Sequence, residues 1–163
     1  MLFGIYPNSV IKQKMFRKIL IATHGTKGAK KAEQVALEIA SQQSSELFAM
    51  YVINSNWSSL TGIEWLNASH TRMKFYSHIE KDFYLKAKQI LEDINRLASQ
   101  KQVKINNIIS VGIPEEAIIE ECAKNHIDLL VLGSGVKGDR AEYKYTLQLK
   151  KIKNRVLCPI LLA

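Results

Sequence analysis

Only two cysteines, Cys122 and Cys158, occur in the 163 residues, too few for a disulfide scaffold or a cysteine-built metal cluster. Reduced, partly buried thiols are the expectation for both, as suits a cytosolic chain. The three prolines and eight glycines are too sparse for a Pro/Gly-rich linker or a long disordered tract. The four histidines, His24, His70, His78 and His126, are dispersed. His70 and His78 lack the three- or four-residue spacing of a helical metal pair, so no zinc site is expected. Long apolar runs are missing too. Leu129–Leu132 and Ile160–Ala163 fall far short of the roughly 20 residues a membrane helix requires. The first residues, with one apolar patch and no cleavage site, do not read as a secretory signal. The expectation is a cytoplasmic protein with no membrane contact.

What is present is a chain of single-domain size, 47% hydrophobic and 23% charged, able to bury a substantial core. Its net charge of +8 is concentrated between Lys137 and Arg155. There Lys137, Arg140, Lys144, Lys150, Lys151, Lys153 and Arg155 stand against Asp139 and Glu142. Such a stretch is either a solvated helix face or a patch for an acidic or phosphate-bearing partner. Tyr143 and Tyr145 are thin support for nucleic-acid stacking there.

Residues 1–15 read as an extension and residues 16–163 as the domain. Phe16–Thr23 and Leu47–Ile53 are continuous apolar runs, which suit strands covered on both faces. Between them Ala32, Val35, Ala36, Ile39 and Ala40 mark one helical face within Ala29–Ala40. Asn54–Thr71 is a polar and aromatic connection. A long helix is predicted from Arg72 to Gln100, then a strand over Val103–Val111. Pro114 opens a helix reaching Asn125, with Glu115 and Glu116 in its first turn. Asp128–Leu132 is a fourth strand, Glu142–Asn154 a basic helix and Val156–Ala163 a fifth strand. Pro159 places that last strand at an edge or a bulge. The alternation predicts an α/β fold, a doubly wound sheet of about five mostly parallel strands with helices on both faces. Ligands of such sheets bind beyond the carboxyl ends of the strands.

Three segments resemble the universal stress protein family. KILIATHGTKGAKKAEQVALEIA resembles its opening strand, loop and helix; VGIPEEAIIEECAKNHIDLLVLGS its third helix and fourth strand; and CPILLA its closing strand. The resemblance implies a Rossmann-related fold of the adenine nucleotide alpha hydrolase type and a non-enzymatic role in stress response. It also implies homodimerisation through the last strand, here Leu157–Ala163. Many family members bind ATP through an acidic residue ending strand one, backbone groups ending strand two and a glycine motif after strand four. That motif runs Gly, two residues, Gly, nine residues, Gly, then Ser or Thr. Laid on this chain, it keeps Gly133 but meets Val136, Thr146 and Leu147 at the other three positions. Counting back from Pro159 gives the same register. Gly135 and Gly138 offer a shifted glycine pair whose later positions, Gln148 and Leu149, again fail. At strand one the family's aspartate is His24, after Ala22 and Thr23; it is either an exposed strand-end histidine or a retuned ligand contact. Val52 stands where strand two meets the base, or is simply a core valine. The implied cofactor is therefore none or weak ATP. The alternative is an adenine-nucleotide site rebuilt from Gly133, Gly135, Gly138 and Thr146, with the charge of Lys137 replacing backbone donors. Enzymes on related folds carry His-x-Gly-His or Ser-Gly-Gly-x-Asp-Ser signatures, and neither occurs here.

Overall fold

A computed structural model of the protein describes residues 15–55, 69–134 and 147–163. Nine elements alternate: β1 (Lys18–Thr23), α1 (Lys27–Gln43), β2 (Glu46–Asn54), α2 (Ser69–Gln100), β3 (Ile105–Gly112), α3 (Pro114–Lys124), β4 (Leu129–Leu132), α4 (Leu149–Lys153) and β5 (Ile160–Leu162). The strands form one sheet in the order β3-β2-β1-β4-β5, and every neighbouring pair is parallel. The expected doubly wound α/β architecture is therefore present.

The central strands explain their own composition. Ile19, Leu20 and Ile21 of β1 and Leu130 and Val131 of β4 have no exposed surface, because helices cover both faces of the sheet. On one face α1 and α2 bring Ala32, Ala36, Leu37, Ala87, Leu91 and Ile94 against Ile19, Ile21 and Val131. The alanine-rich stripe of α1 lets that helix lie close to the sheet. On the other face Ala117, Ile118 and Cys122 of α3 and Ile152 of α4 close over Leu20, Met50, Leu130 and Leu132. Asp128 ties the sheet's entry end, its Oδ2 accepting from the amides of Arg17 and Lys18 at 2.9 Å each.

Several boundaries differ from expectation. The long helix starts at Ser69 rather than Arg72. The third strand starts at Ile105, because Gln102 turns with φ 56° and Val103 is buried just after α2. The last strand is only Ile160–Leu162. Pro159 has no amide proton to enter a ladder, so Val156–Cys158 stays outside it, and β5 lies at the sheet edge as Pro159 implied. Cys158 thus precedes the strand. Of the predicted helix over Glu142–Asn154, the described part is helical only from Leu149 to Lys153; 142–146 lie outside the described residues. So do most of Asn54–Thr71 and all but the last residue of the 1–15 extension. Among the described residues no helix is long and apolar enough to cross a membrane.

Candidate functional site

Strand order reverses between β1 and β4, the position at which parallel sheets of this kind open a ligand crevice. Ala22 of β1 pairs with Leu132 of β4, so Thr23-His24 and Gly133 leave the sheet side by side. The chain after β1 makes a tight approach to α1. Gly25 takes φ 78°, a conformation glycine adopts without steric cost. A side chain there would meet Ile90 Cδ1 of α2 at 2.6 Å. Thr26 then caps α1, its Oγ1 accepting from the Ala29 amide at 3.3 Å. This is the usual satisfaction of a helix N-terminus by a hydroxyl.

His24 is exposed, with Nε2 3.1 Å from Thr26 Oγ1. It stands at the mouth of the crevice and partners its own loop. Thr23 is buried. Its hydroxyl donates to Glu33 of α1 and accepts from the Gly25 amide at 3.3 Å. Gly133 sits directly on the first turn of α1. A Cβ at that position would lie 2.9 Å from the Ala29 nitrogen and from the carbonyl carbon and oxygen of Gly28. The retained glycine is therefore required by packing between strand end and helix, whatever it offers a ligand.

Ala22, Val52 and Leu147 converge on the opposite face. All three pack against the apolar cluster built by α3 and α4. Leu147, where the resemblance calls for a hydroxyl, joins the same cluster as Ile152 and Cys122. The turn holding it is fixed by Glu115, a carboxylate only 2% exposed that accepts from the Gln148 amide at 2.8 Å. Gly135, Val136, Gly138 and Thr146 lie outside the described residues. A concavity of about 410 Å³ lies away from this crevice, lined toward the amino ends of β2 and β3 by Glu46, Phe48 and Asn106.

The basic stretch is partly consumed internally. Lys151 Nζ lies 2.6 Å from Glu116 Oε1, and Arg155 Nη1 lies 2.7 Å from Glu116 Oε2. Those two cations tie α4 and the segment just after it to the first turn of α3, while Lys150 and Lys153 are exposed. His126 also has a structural part, turning with φ 53° between α3 and β4.

Glu33 escaped the sequence reading, and Glu115 entered it only as a first-turn residue of α3. Glu33 was detectable, since it shares the buried face of α1 with Ala29, Ala36, Leu37 and Ala40. Burial pushes its carboxyl above the usual range, with the Thr23 hydrogen bond and Lys30 opposing and Asp93 adding to the rise. The unfolded chain consequently gives up this proton at lower pH than the folded protein. The stability linked to Glu33 is full below the ordinary Glu value and declines as pH rises through the raised native value. Glu33→Gln keeps an acceptor for Thr23 and removes that decline. In denaturant titrations between about pH 4 and 8, the variant is expected to gain on the parent as pH rises. A difference that stays constant with pH would mean that Glu33 titrates alike in both states.

The comparisons with known proteins agree with this geometry. The family model described as the universal stress protein family matches residues 15–162. Universal stress protein YxiE of Bacillus subtilis is 29% identical over 152 residues, covering 91% of this chain and 99% of that protein. Among solved structures, MJ0577 of Methanocaldococcus jannaschii superposes with a TM-score of 0.73 at 21% identity, over 91% of this chain and 96% of its own. A universal stress protein of Arabidopsis thaliana solved with AMP bound has a TM-score of 0.60 at 18% identity, over 90% of each chain. With the parallel five-stranded sheet and the family model over nearly the whole sequence, the chain belongs to the universal stress protein family.

Proposed function

We propose that this protein acts in stress response as a non-enzymatic regulator, through partner binding as a homodimer, with adenine-nucleotide affinity that is weak or lost. The observation that carries the reading is the placement of Leu147 within the α3–α4 cluster. A leucine supplies no hydrogen bond to a phosphate, and drawing it out toward a ligand would uncover apolar surface. Val136 and Thr146 stand where the family motif has glycine, and β-branched residues resist the backbone conformations glycine permits. Titration calorimetry with Mg-ATP and with AMP tests the reading. No saturable heat is expected below about millimolar nucleotide, whereas a dissociation constant of a few micromolar would overturn it.

A second reading is favoured by the AMP bound to the Arabidopsis relative and by the exposed His24 beside Gly133. It keeps a nucleotide in the crevice through Gly133, Gly135 and Gly138, with Lys137 supplying charge. The micromolar outcome of the same titration supports it.

The proposed homodimer would pair through Leu157–Ala163, which includes β5. Leu157 and Leu162 are 105% and 48% exposed, and among the described residues β5 has a strand neighbour on one side only. An open apolar edge is a liability unless another chain covers it. Sedimentation velocity at micromolar concentration is expected to give a dimer, and Leu162→Lys a monomer. A parent protein that sediments only at 18.5 kDa rejects this assignment. The exposed Lys150 and Lys153 are offered to an acidic or phosphate-bearing partner.

A further inference from the structure

β3 lies at the end of the sheet opposite β5, and among the described residues no strand pairs with its outer side. It runs for eight residues, INNIISVG, with no charge and no proline. It therefore lacks the side chains that keep an edge strand from pairing further. The ladder fixes which polar groups face out. The Leu47 amide donates to the Lys104 carbonyl, and the Ser55 amide to the Gly112 carbonyl. Successive residues of a strand turn their polar groups to alternate sides. Asn106, Ile108 and Ser110 thus serve β2, while Ile105, Asn107, Ile109 and Val111 turn theirs outward. Apolar surface is open on both faces beside this edge. On the α2 side Val111, on the same face as Ile105 and Ile109, is 68% exposed. On the α3 side the concavity of about 410 Å³ is lined by Phe48 and Ile108 from the strands and Glu121 and Lys124 from the helix. A strand added here has something to cover on each face, and strands buried on both faces read as continuous apolar runs.

Residues 2–6, Leu-Phe-Gly-Ile-Tyr, are such a run, followed at once by the turn residues Pro7, Asn8 and Ser9. They precede the family match, which begins at residue 15. The chain reaches β1 from the side of the sheet that holds β3. The Ser45 hydroxyl donates to the Phe16 carbonyl at 2.6 Å, and the Glu46 amide to the Arg17 carbonyl at 2.8 Å. Residues 16 and 17 therefore meet the start of β2, the strand between β1 and β3. A strand beyond β3 would lie three strand spacings from β1, about 14 Å. The eight residues 7–14 span up to about 26 Å when extended, so the connection is long enough.

We propose that residues 2–6 pair with the outer edge of β3 as an added, antiparallel strand of the same chain. The direction follows from the path. The chain has to arrive at the amino end of β1, so it descends along β3 before crossing beneath β2. An antiparallel edge strand on an otherwise parallel sheet is common among doubly wound folds. With the β3 edge covered, copies that meet through β5 close as a pair and do not extend as an open array.

The test is amide hydrogen exchange by NMR on the full chain at two protein concentrations, with a mixed-isotope sample to separate contacts within a chain from contacts between chains. The outward amides of Ile105, Asn107, Ile109 and Val111 are expected to be protected, with cross-strand contacts to residues 2–6 of the same chain. Replacing both Gly4→Pro and Ile5→Pro removes two successive amides, one of which faces β3 in either register. The double variant should speed exchange of the outward amides by about ten-fold or more. The inward amides of Asn106, Ile108 and Ser110 should be unchanged, which also reports that the variant folds. Three results overturn the proposal: outward amides of the parent that exchange as fast as those of exposed loops, protection that persists in the double variant, or protection that rises with concentration or comes with contacts only between chains. The last would give this edge to a second copy. The contacts in the parent decide the matter even if the double variant does not fold.

Discussion

Gly133→Ala is expected to destabilise the protein by about 1–3 kcal/mol, and Gly133→Val by more, through overpacking. The reason is the identity of the atoms in the way. A Cβ at 133 would lie 2.9 Å from the Ala29 nitrogen and the Gly28 carbonyl group, and all of these are backbone. A flexible side chain could swing aside, but the first turn of α1 cannot move without the rest of the helix. Moving α1 would pull Ala29, Ala32, Ala36 and Ala40 from the sheet, where each is at most 1% exposed. The gaps left would add a further cost. Urea denaturation measures it directly. The midpoint should fall with little change in slope. An unchanged midpoint for Gly133→Ala would mean that strand end and helix separate freely, and the packing account of this glycine would be wrong.

Restoring the glycine motif is expected to raise Mg-ATP affinity by about a hundred-fold or more. The variant is Val136→Gly, Thr146→Gly and Leu147→Ser together. A hydrogen bond to a charged group contributes about 1.5–3 kcal/mol, so regaining two of them is worth about 3–6 kcal/mol, enough to move a millimolar site to micromolar or better. Nearby lysines offset little of the loss in the parent, because exposed ion pairs contribute about 1 kcal/mol at most. The same substitutions carry a structural cost. Leu147 leaves the cluster that holds Ile152 and Cys122, so the triple variant should be less stable without ligand and recover stability as nucleotide is added. Thermal shift against nucleotide concentration reads both effects. If the restored variant binds no better than the parent, the motif is not what limits affinity. His24, in place of the family's strand-one aspartate, would then be the position to change.

Much of the fold was legible in the sequence because burial leaves a periodic mark. Leu129–Leu132, buried on both faces, could be read only as an inner strand once Gly133 closed it. The helical spacing of Ala87, Leu91, Ile94 and Ala98 identified the face of α2 that lies buried. Pro114 and the two glutamates after it marked the start of α3 to the residue. Boundaries were less legible where local signals competed. The apolar run Val156–Cys158 resembles strand, yet the missing amide of Pro159 lets the ladder begin only at Ile160. The candidate site was legible as a departure from a pattern. Four letters, at 133, 136, 146 and 147, suffice for that comparison.

Charge and contact over long separations were not legible. Lys151 and Arg155 counted as part of a basic patch, yet Glu116 pairs with both from another helix and offsets one of their two charges. Glu115 looked like a helix-dipole residue, yet its carboxylate reaches across to the Gln148 amide. By itself the sequence determined the order and type of the elements, the family, and the loss of three of its four glycine-motif positions, because each depends on residues close together in the chain. Only the tertiary structure decided that Gly133 serves α1, that Leu147 packs against the α3–α4 cluster, and that the basic residues are partly paired within the chain. Those facts rest on distances between segments, which parallel crossovers set and which no local pattern encodes.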